Sequence, residues 1–305
     1  MPARRRVSNF KGDVSMRANL NRYSETSLSS LAHSIGMYRF TESKALKLYL
    51  LALCSRNFGF YNALRMTLFV GSTDFSRTLR LREPDGTSFS FTFRGRIDQG
   101  VLSHLYKDGI RVVDTESKPI RTILDCGANI GVETLRFRLH HPHAEILAVE
   151  ADVANFRLLE SNCRNSKRVT PLHSAVWSCD TQLYLQKSPD GNPESSAVSE
   201  AATGSAVQAY CIESLMKSRG WPEIDILKLD IEGAEHAIFS GNTDWLARVN
   251  CLIFEVPDSD KPGTLQLMFE KLRNQKWNGI AIGENLVLLR GHLPWSVKQV
   301  TGICD

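Results

Sequence analysis

The nine residues ILDCGANIG, 123 to 131, constrain the fold more than any other stretch of this chain. A short apolar run ends at Asp125 and gives way at once to Gly127, Asn129 and Gly131. Glycine tolerates positive φ and leaves no Cβ between the backbone and a ligand. The helical pattern GVETLRFRLHH continues from the last of these glycines. A helix that begins at such a turn offers unpaired N–H groups and the positive end of its dipole. The stretch reads as a strand, a tight turn and a helix, with a ligand held at the turn.

Downstream of the turn the same rhythm continues. AEILAVE is a strand, VANFRLLESNC a helix, and VTPLHSAVW a third strand with its exit loop. LYLQ and VQAYCI read as strands flanking KSPDGNPESSAVSEAATGS, a small and polar loop expected to be mobile. IDILKLD is a fourth core strand, GAEHAIFSG a helix, VNCLIFEV a fifth strand and TLQLMFEKLRNQ a helix. GIAIG and LVLLR form a terminal β-pair. Strand and helix alternating through short links predict an α/β fold, a mostly parallel sheet with helices on both faces. Right-handed crossovers bring the ends of strands one, two and four to one rim.

Upstream the pattern changes. Residues 1–24 carry Arg4, Arg5 and Arg6 and read as a basic disordered tail. Residues 25–109 are expected to form an extension of helices and a hairpin, leaving residues 110–305 as the ligand-binding domain. Within the extension, residues 45–70 are the most apolar, but Lys47, Arg56 and Arg65 interrupt them too often for a membrane span. Leu79 and Leu81 face Phe89, Phe91 and Phe93 across PDG, which is hairpin chemistry. DQGVLSHLYKDG reads as a short helix closed by Gly109.

The net charge of +4 is too mild to point to nucleic acid. Seven scattered cysteines, without a CxxC pair, suggest reduced thiols in a cytoplasmic protein. The start of the sequence has no signal-peptide pattern.

At the turn the spacing is G-A-N-I-G, so Asn129 stands where a dinucleotide fingerprint has its middle glycine. That disfavours an NAD-dependent oxidoreductase. Glu150 ends the second strand about 25 residues after Asp125, where an acid binds ribose hydroxyls in this architecture. Asp152 is placed to cap the next helix. LKLDIEGAEH sets Lys228, Asp230, Glu232, Glu235 and His236 at and after the fourth strand. Lys228 and Asp230 share a face and would pair if buried together. His236 reads as a surface or core histidine, and His140, His141 and His143 as a cluster away from the rim.

The segments ILDCGANIG, AVEADVANFRLLESN, IDILKLDIEGAE and LIFEV together resemble the FkbM-type S-adenosylmethionine-dependent methyltransferases. The likeness runs over about residues 95 to 260 and includes the upstream segment that begins at Asp98. This chain departs from the family pattern in Cys126, where valine- or leucine-like residues are common, and in EAD in place of EPD. The resemblance implies a Rossmann-like class I methyltransferase sheet and methyl transfer to a hydroxyl of a sugar, glycan or natural product. It further implies that Asp125, Gly127, Asn129 and Gly131 surround the methionine part of S-adenosyl-L-methionine, and that Glu150 takes the ribose. Ala151 and Asp152 then lie beside the adenine edge, bordered by Ser174 and Ala175, and Asp98 closes over the cofactor.

An alcohol acceptor needs a nearby proton acceptor. Asp230 and Glu232 are the candidates, with Lys228 as the ion-pair partner of Asp230 and Glu255 as a substrate contact. Asp230 and Glu232 could instead hold a divalent metal, a reading two carboxylates alone do not favour. An N-methyltransferase of the same fold, or a non-catalytic cofactor- or partner-binding module, would share much of this pattern. An oligomer is compatible with it.

Overall fold

The computed structural model describes residues 76–82, 88–94, 98, 109–186, 197–231, 233–255 and 261–300, with the backbone alone for 76–82, 88 and 89. The chain divides into two units, residues 1–46 and 47–305, and all described residues belong to the second. The expected tail, the helices over residues 25–70, the PDG turn and most of the expected helix over 98–109 lie outside the described residues. So does 187–196, most of the expected polar loop.

Two antiparallel strands, β1 (Ser76–Arg82) and β2 (Ser88–Arg94), pair as the alternation predicts, with Leu79 opposite Phe91. Gly109, expected to cap a helix, instead opens β3 (Gly109–Val113), without the positive φ of a left-handed cap. The reason is crowding: a Cβ on Gly109 would lie 2.7 Å from the Val300 carbonyl, in the strand that pairs with β3.

The main domain then runs β4 (Thr122–Cys126), α1 (Val132–His140), β5 (Glu145–Glu150), α2 (Val153–Cys163) and β6 (Val169–His173). A smaller sheet is built from β7 (Ala175–Val176), β8 (Thr181–Gln186), β9 (Ala197–Ser199) and β10 (Ser205–Tyr210). After α3 (Ile212–Arg219) come β11 (Ile224–Leu229), α4 (Glu235–Ser240), a 3₁₀ turn (Asp244–Arg248) and β12 (Val249–Glu255). The chain continues through α5 (Thr264–Leu272), β13 (Trp277–Ile282), β14 (Asn285–Arg290) and β15 (Ser296–Val300), the last pairing with β3.

The central sheet has seven strands in the order β13-β14-β12-β11-β4-β5-β6. Six run in one direction, and β14 is inserted antiparallel between β12 and β13. This is the Rossmann-like class I methyltransferase arrangement with its terminal antiparallel pair. From β4 the chain winds outward through β5 and β6, then returns to β11 on the other side. The order therefore reverses between β4 and β11, the point beyond whose strand ends open α/β sheets bind their ligands.

The period-two rule assigns the strand side chains to two cores. Ile123, Ile146, Ile226 and Cys251 enter one core with Leu135 of α1 and Leu159 of α2. Their neighbours Leu124, Leu147, Leu227 and Leu252 enter the other with Leu215, Phe239 and Met268 of α3, α4 and α5. Both faces of the sheet are covered, so β11 is buried at every residue. α3 departs from expectation, because the pattern of VQAYCI is strand-like to its end. The strand stops at Tyr210, and Ile212, Leu215 and Met216 come at helical spacing until Gly220 closes the helix at φ 65. Among the described residues no helix is long and apolar enough to cross a membrane. Cys126, Cys163, Cys179, Cys211 and Cys251 are free thiols.

Candidate functional site

The turn after β4 compresses three left-handed residues into five, with φ 79 at Gly127, 50 at Asn129 and 92 at Gly131. Gly127 is glycine because a Cβ there would sit 1.7 Å from the Asp230 carbonyl oxygen. The exits of β4 and β11 are that close, and the Asp230 amide donates to the Cys126 carbonyl at 3.1 Å. At Gly131 a Cβ would meet Leu159 of α2 at 2.8 Å. Asn129 tolerates αL better than most residues. Its own amide donates to Glu150 at 2.9 Å, so the turn is tied to the end of β5.

Glu150 is 8% exposed, and each of its oxygens accepts one backbone hydrogen bond: Oε2 from Asn129, Oε1 from Asp152 at 2.8 Å. Burial outweighs these bonds and pushes its pKa up to about 7. Oε1 also faces the Asn155 amide at 3.5 Å, and Oε2 keeps a lone pair for another donor. Asp152 caps α2 as expected, accepting from the Ala154 and Asn155 amides. Ala151 is half-buried, and its carbonyl lies 3.0 Å from Nε2 of His173. Ser174 and Ala175 are both buried at the exit of β6, and the Ser174 amide donates to the Glu150 carbonyl at 3.1 Å.

Beneath the turn, Asp125 is fully buried and its Oδ2 accepts from Thr134 of α1 at 2.6 Å. Burial raises its pKa to about 6, opposed mainly by the Lys228 ammonium, which stands beside it in register on β11. Lys228 donates to Asp230 at 2.7 Å, the predicted pair. The two are not equally buried, since the lysine side chain is 8% exposed and that of Asp230 37%. Burial pulls the ammonium down, but Asp230, Asp125 and Glu133 outweigh it and hold its pKa above the ordinary value. Glu235 folds back to accept from the Ile231 and Gly233 amides, bracing the loop that carries Asp230. Glu232 lies outside the described residues. Glu255, at the end of β12, is half-buried, and burial with the Asp230 and Glu284 carboxyls raises its pKa to about 7.

Three buried polar atoms along this rim have no hydrogen-bond partner in the protein: Asp125 Oδ1, Asn129 Oδ1 and Ser174 Oγ. Leaving such atoms unpaired costs about 1–3 kcal/mol each, a cost that a polar ligand with several hydrogen-bonding groups would offset. Asp98 differs from expectation. It is 1% exposed, and both its oxygens are engaged by the Arg94 guanidinium, with the Arg94 amide adding a short bond to Oδ2. Here it is the partner of Arg94. Arg94, Asn155 and Thr134 were not among the sequence candidates. The only sequence signals were an Arg four residues before Asp98, and Asn155 three after the capping Asp152.

The histidines fall where the sequence suggested. His236 is exposed beside Ser240, and His140 stacks edge-on against His141 at the far end of α1. Among the described residues no cluster of three or more His, Cys, Asp or Glu side chains could hold a metal ion.

Comparison with known proteins bears on the same residues. The chain is 26% identical over 151 residues to the hexuronic acid methyltransferase AglP of Haloferax volcanii, a match covering 49% of this chain and 62% of that protein. The chain thus spans about three-fifths of that relative's length. Among solved structures it is similar to a precorrin-6y C5,15-methyltransferase from Geobacter metallireducens, at 12% identity and TM-score 0.31 over 64% of this chain and 87% of that one. It is also similar to the N-terminal domain of human METTL16 in complex with SAH, at 12% identity and TM-score 0.37 over 82% of this chain and 84% of that one. The methyltransferase FkbM domain matches residues 125–275, which begin at the buried aspartate of the glycine turn and run through α5. Over those residues the chain carries a methyltransferase FkbM domain.

Proposed function

We propose that this protein binds S-adenosyl-L-methionine at the β4–β11 crevice and transfers its methyl group to a hydroxyl of a sugar, glycan or natural product. The observation that carries the reading is the alignment of Glu150 with the unpartnered Asp125, Asn129 and Ser174 atoms along one rim. These groups fit the cofactor. Asp125 Oδ1 is an acceptor for its ammonium, Glu150 for the two ribose hydroxyls, and the Ser174 hydroxyl can pair with the adenine edge. The left-handed backbone of Gly127 and Gly131 shapes the turn at which the ligand would sit. Bound there, the cofactor supplies an electrophilic methyl group on a sulfonium.

The chain's own work is alignment and proton removal. In-line displacement depends on holding nucleophile and methyl group in one geometry, which accounts for much of the rate. Asp230 is the proposed proton acceptor. Lys228 takes its Oδ2, fixing the carboxylate and leaving Oδ1 as the oxygen to receive a proton. Glu232 stays a candidate from its place in the sequence. A second reading has support of its own: Asp230, Glu255 and Glu284 put three carboxyls together, a field that would attract an amine as its cation. A carboxylate would take its proton before the nitrogen accepts the methyl group. A radiolabelled-methyl transfer assay across neutral sugars, uronic acids and amines tests both. Transfer to hydroxyls supports the first reading, transfer to amines alone the second, and no transfer to any class counts against the enzyme.

A further inference from the structure

Asn155 sits between two charged groups that make opposite demands on it. Its Oδ1 accepts from Nη2 of Arg94 at 2.6 Å, and its Nδ2 faces Oε1 of Glu150 at 3.5 Å. A side-chain amide can flip, exchanging donor for acceptor at each end. Arg94 has donors only, so it fixes the amide with oxygen outward and the N–H₂ toward the carboxylate. The flipped amide would set two acceptors against each other at Glu150.

Arg94 is itself held. Its Nε and Nη2 bond Asp98, whose side chain is 1% exposed, at 2.6 to 3.2 Å. The strand that carries Arg94 is tied to the same helix two turns further on. Asn162 donates to the carbonyls of Thr92 at 2.9 Å and of Ile130 in the glycine turn at 2.8 Å, and it accepts from the Thr92 amide at 2.6 Å. Asn155 and Asn162 are seven residues apart on α2, on one face of the helix. Strand β2 therefore grips the helix after the ribose acid at two points, and one of them leads to the acid itself.

We infer that Arg94 is a positioning residue for ribose recognition, acting through the Asn155 amide on Glu150, with Asp98 as its anchor. The inference rests on the cofactor reading above. It gives the upstream segment a role at the site that needs no contact with the ligand.

Calorimetry with S-adenosylhomocysteine and its 2′-deoxy analogue tests this. The wild type should prefer the ribose form. R94M should weaken S-adenosylhomocysteine by about tenfold, the scale of one hydrogen bond to a charged group, and leave the deoxy analogue nearly unchanged. In an E150Q background the same substitution should have almost no effect, because coupled residues are non-additive. N155A should behave as R94M does, and it decides the matter if R94M does not fold. Equal weakening of both ligands, or effects that add to those of E150Q, would overturn the inference and leave the methyltransferase reading intact. A wild type that binds neither ligand overturns both.

Discussion

At Glu150 two requirements pull against each other. The proposed ribose contact needs an ionised acceptor, yet burial holds this carboxyl near pKa 7. Cofactor affinity should therefore rise with pH through that value, as the acid loses its proton. Titrations of S-adenosylhomocysteine from pH 6 to 8 should show this slope in the wild type and not in E150Q. E150A should weaken binding by about 1.5–3 kcal/mol; a change of a few tenths would place Glu150 outside the site. At Asp230 the question is kinetic. D230N keeps size and most hydrogen bonding but removes basicity, and should slow methyl transfer by about 10²–10⁴-fold with cofactor affinity little changed. If E255Q produces that loss and D230N does not, the base is Glu255, whose raised pKa already suits proton transfer near neutrality.

Among the elements, the crossing of β4 and β11 sets the geometry of the rim. A Cβ at Gly127 would overlap the Asp230 carbonyl, whereas at Gly220, also left-handed, it would meet nothing within 4 Å. Gly127→Ala should cost about 2–4 kcal/mol from overlap and strain together, and Gly220→Ala about 1–2 kcal/mol from the left-handed backbone alone. Urea midpoints compare the two, and equal losses would mean that the close crossing is not maintained in solution. The parallel strands and the turn are legible in the sequence because period-two burial and glycine placement are local signals. Asp125 in ILDCG and Lys228 in LKLD can be matched across the sheet once the strand order is inferred. α3 is hidden because Ile212 prolongs an apolar strand, so that its first residue fits both periods. Arg94 is invisible for another reason. Its partner Asn155 lies 61 residues away, and that pairing exists only after β2 meets α2. Resemblance points to Asp98 for a contact with the cofactor, and its pairing with Arg94 could not be read from the sequence because it depends on the fold around β2.

Across the whole molecule, folding buries Asp125 and Glu150 and half-buries Glu255, each with a raised pKa. The folded chain then holds protons that the unfolded chain releases, so these groups lower stability as pH climbs from their ordinary values through 6 to 7. His141 acts in the opposite sense. Burial lowers its pKa to about 4, so its contribution grows as pH rises toward the ordinary imidazole value of 6.5. The Glu150 part can be isolated from the melting temperatures of ligand-free wild type and E150Q between pH 5 and 7.5. The wild type should lose ground to the variant as pH rises, and a constant difference would mean that Glu150 is not buried as described. A ligand that binds only the folded chain should then raise the melting temperature with concentration. The most direct test of the central claim is calorimetry of the full-length protein with S-adenosylhomocysteine and, separately, with NAD. Micromolar binding of the first and none of the second is the predicted result. Binding of NAD with no binding of S-adenosylhomocysteine would contradict it.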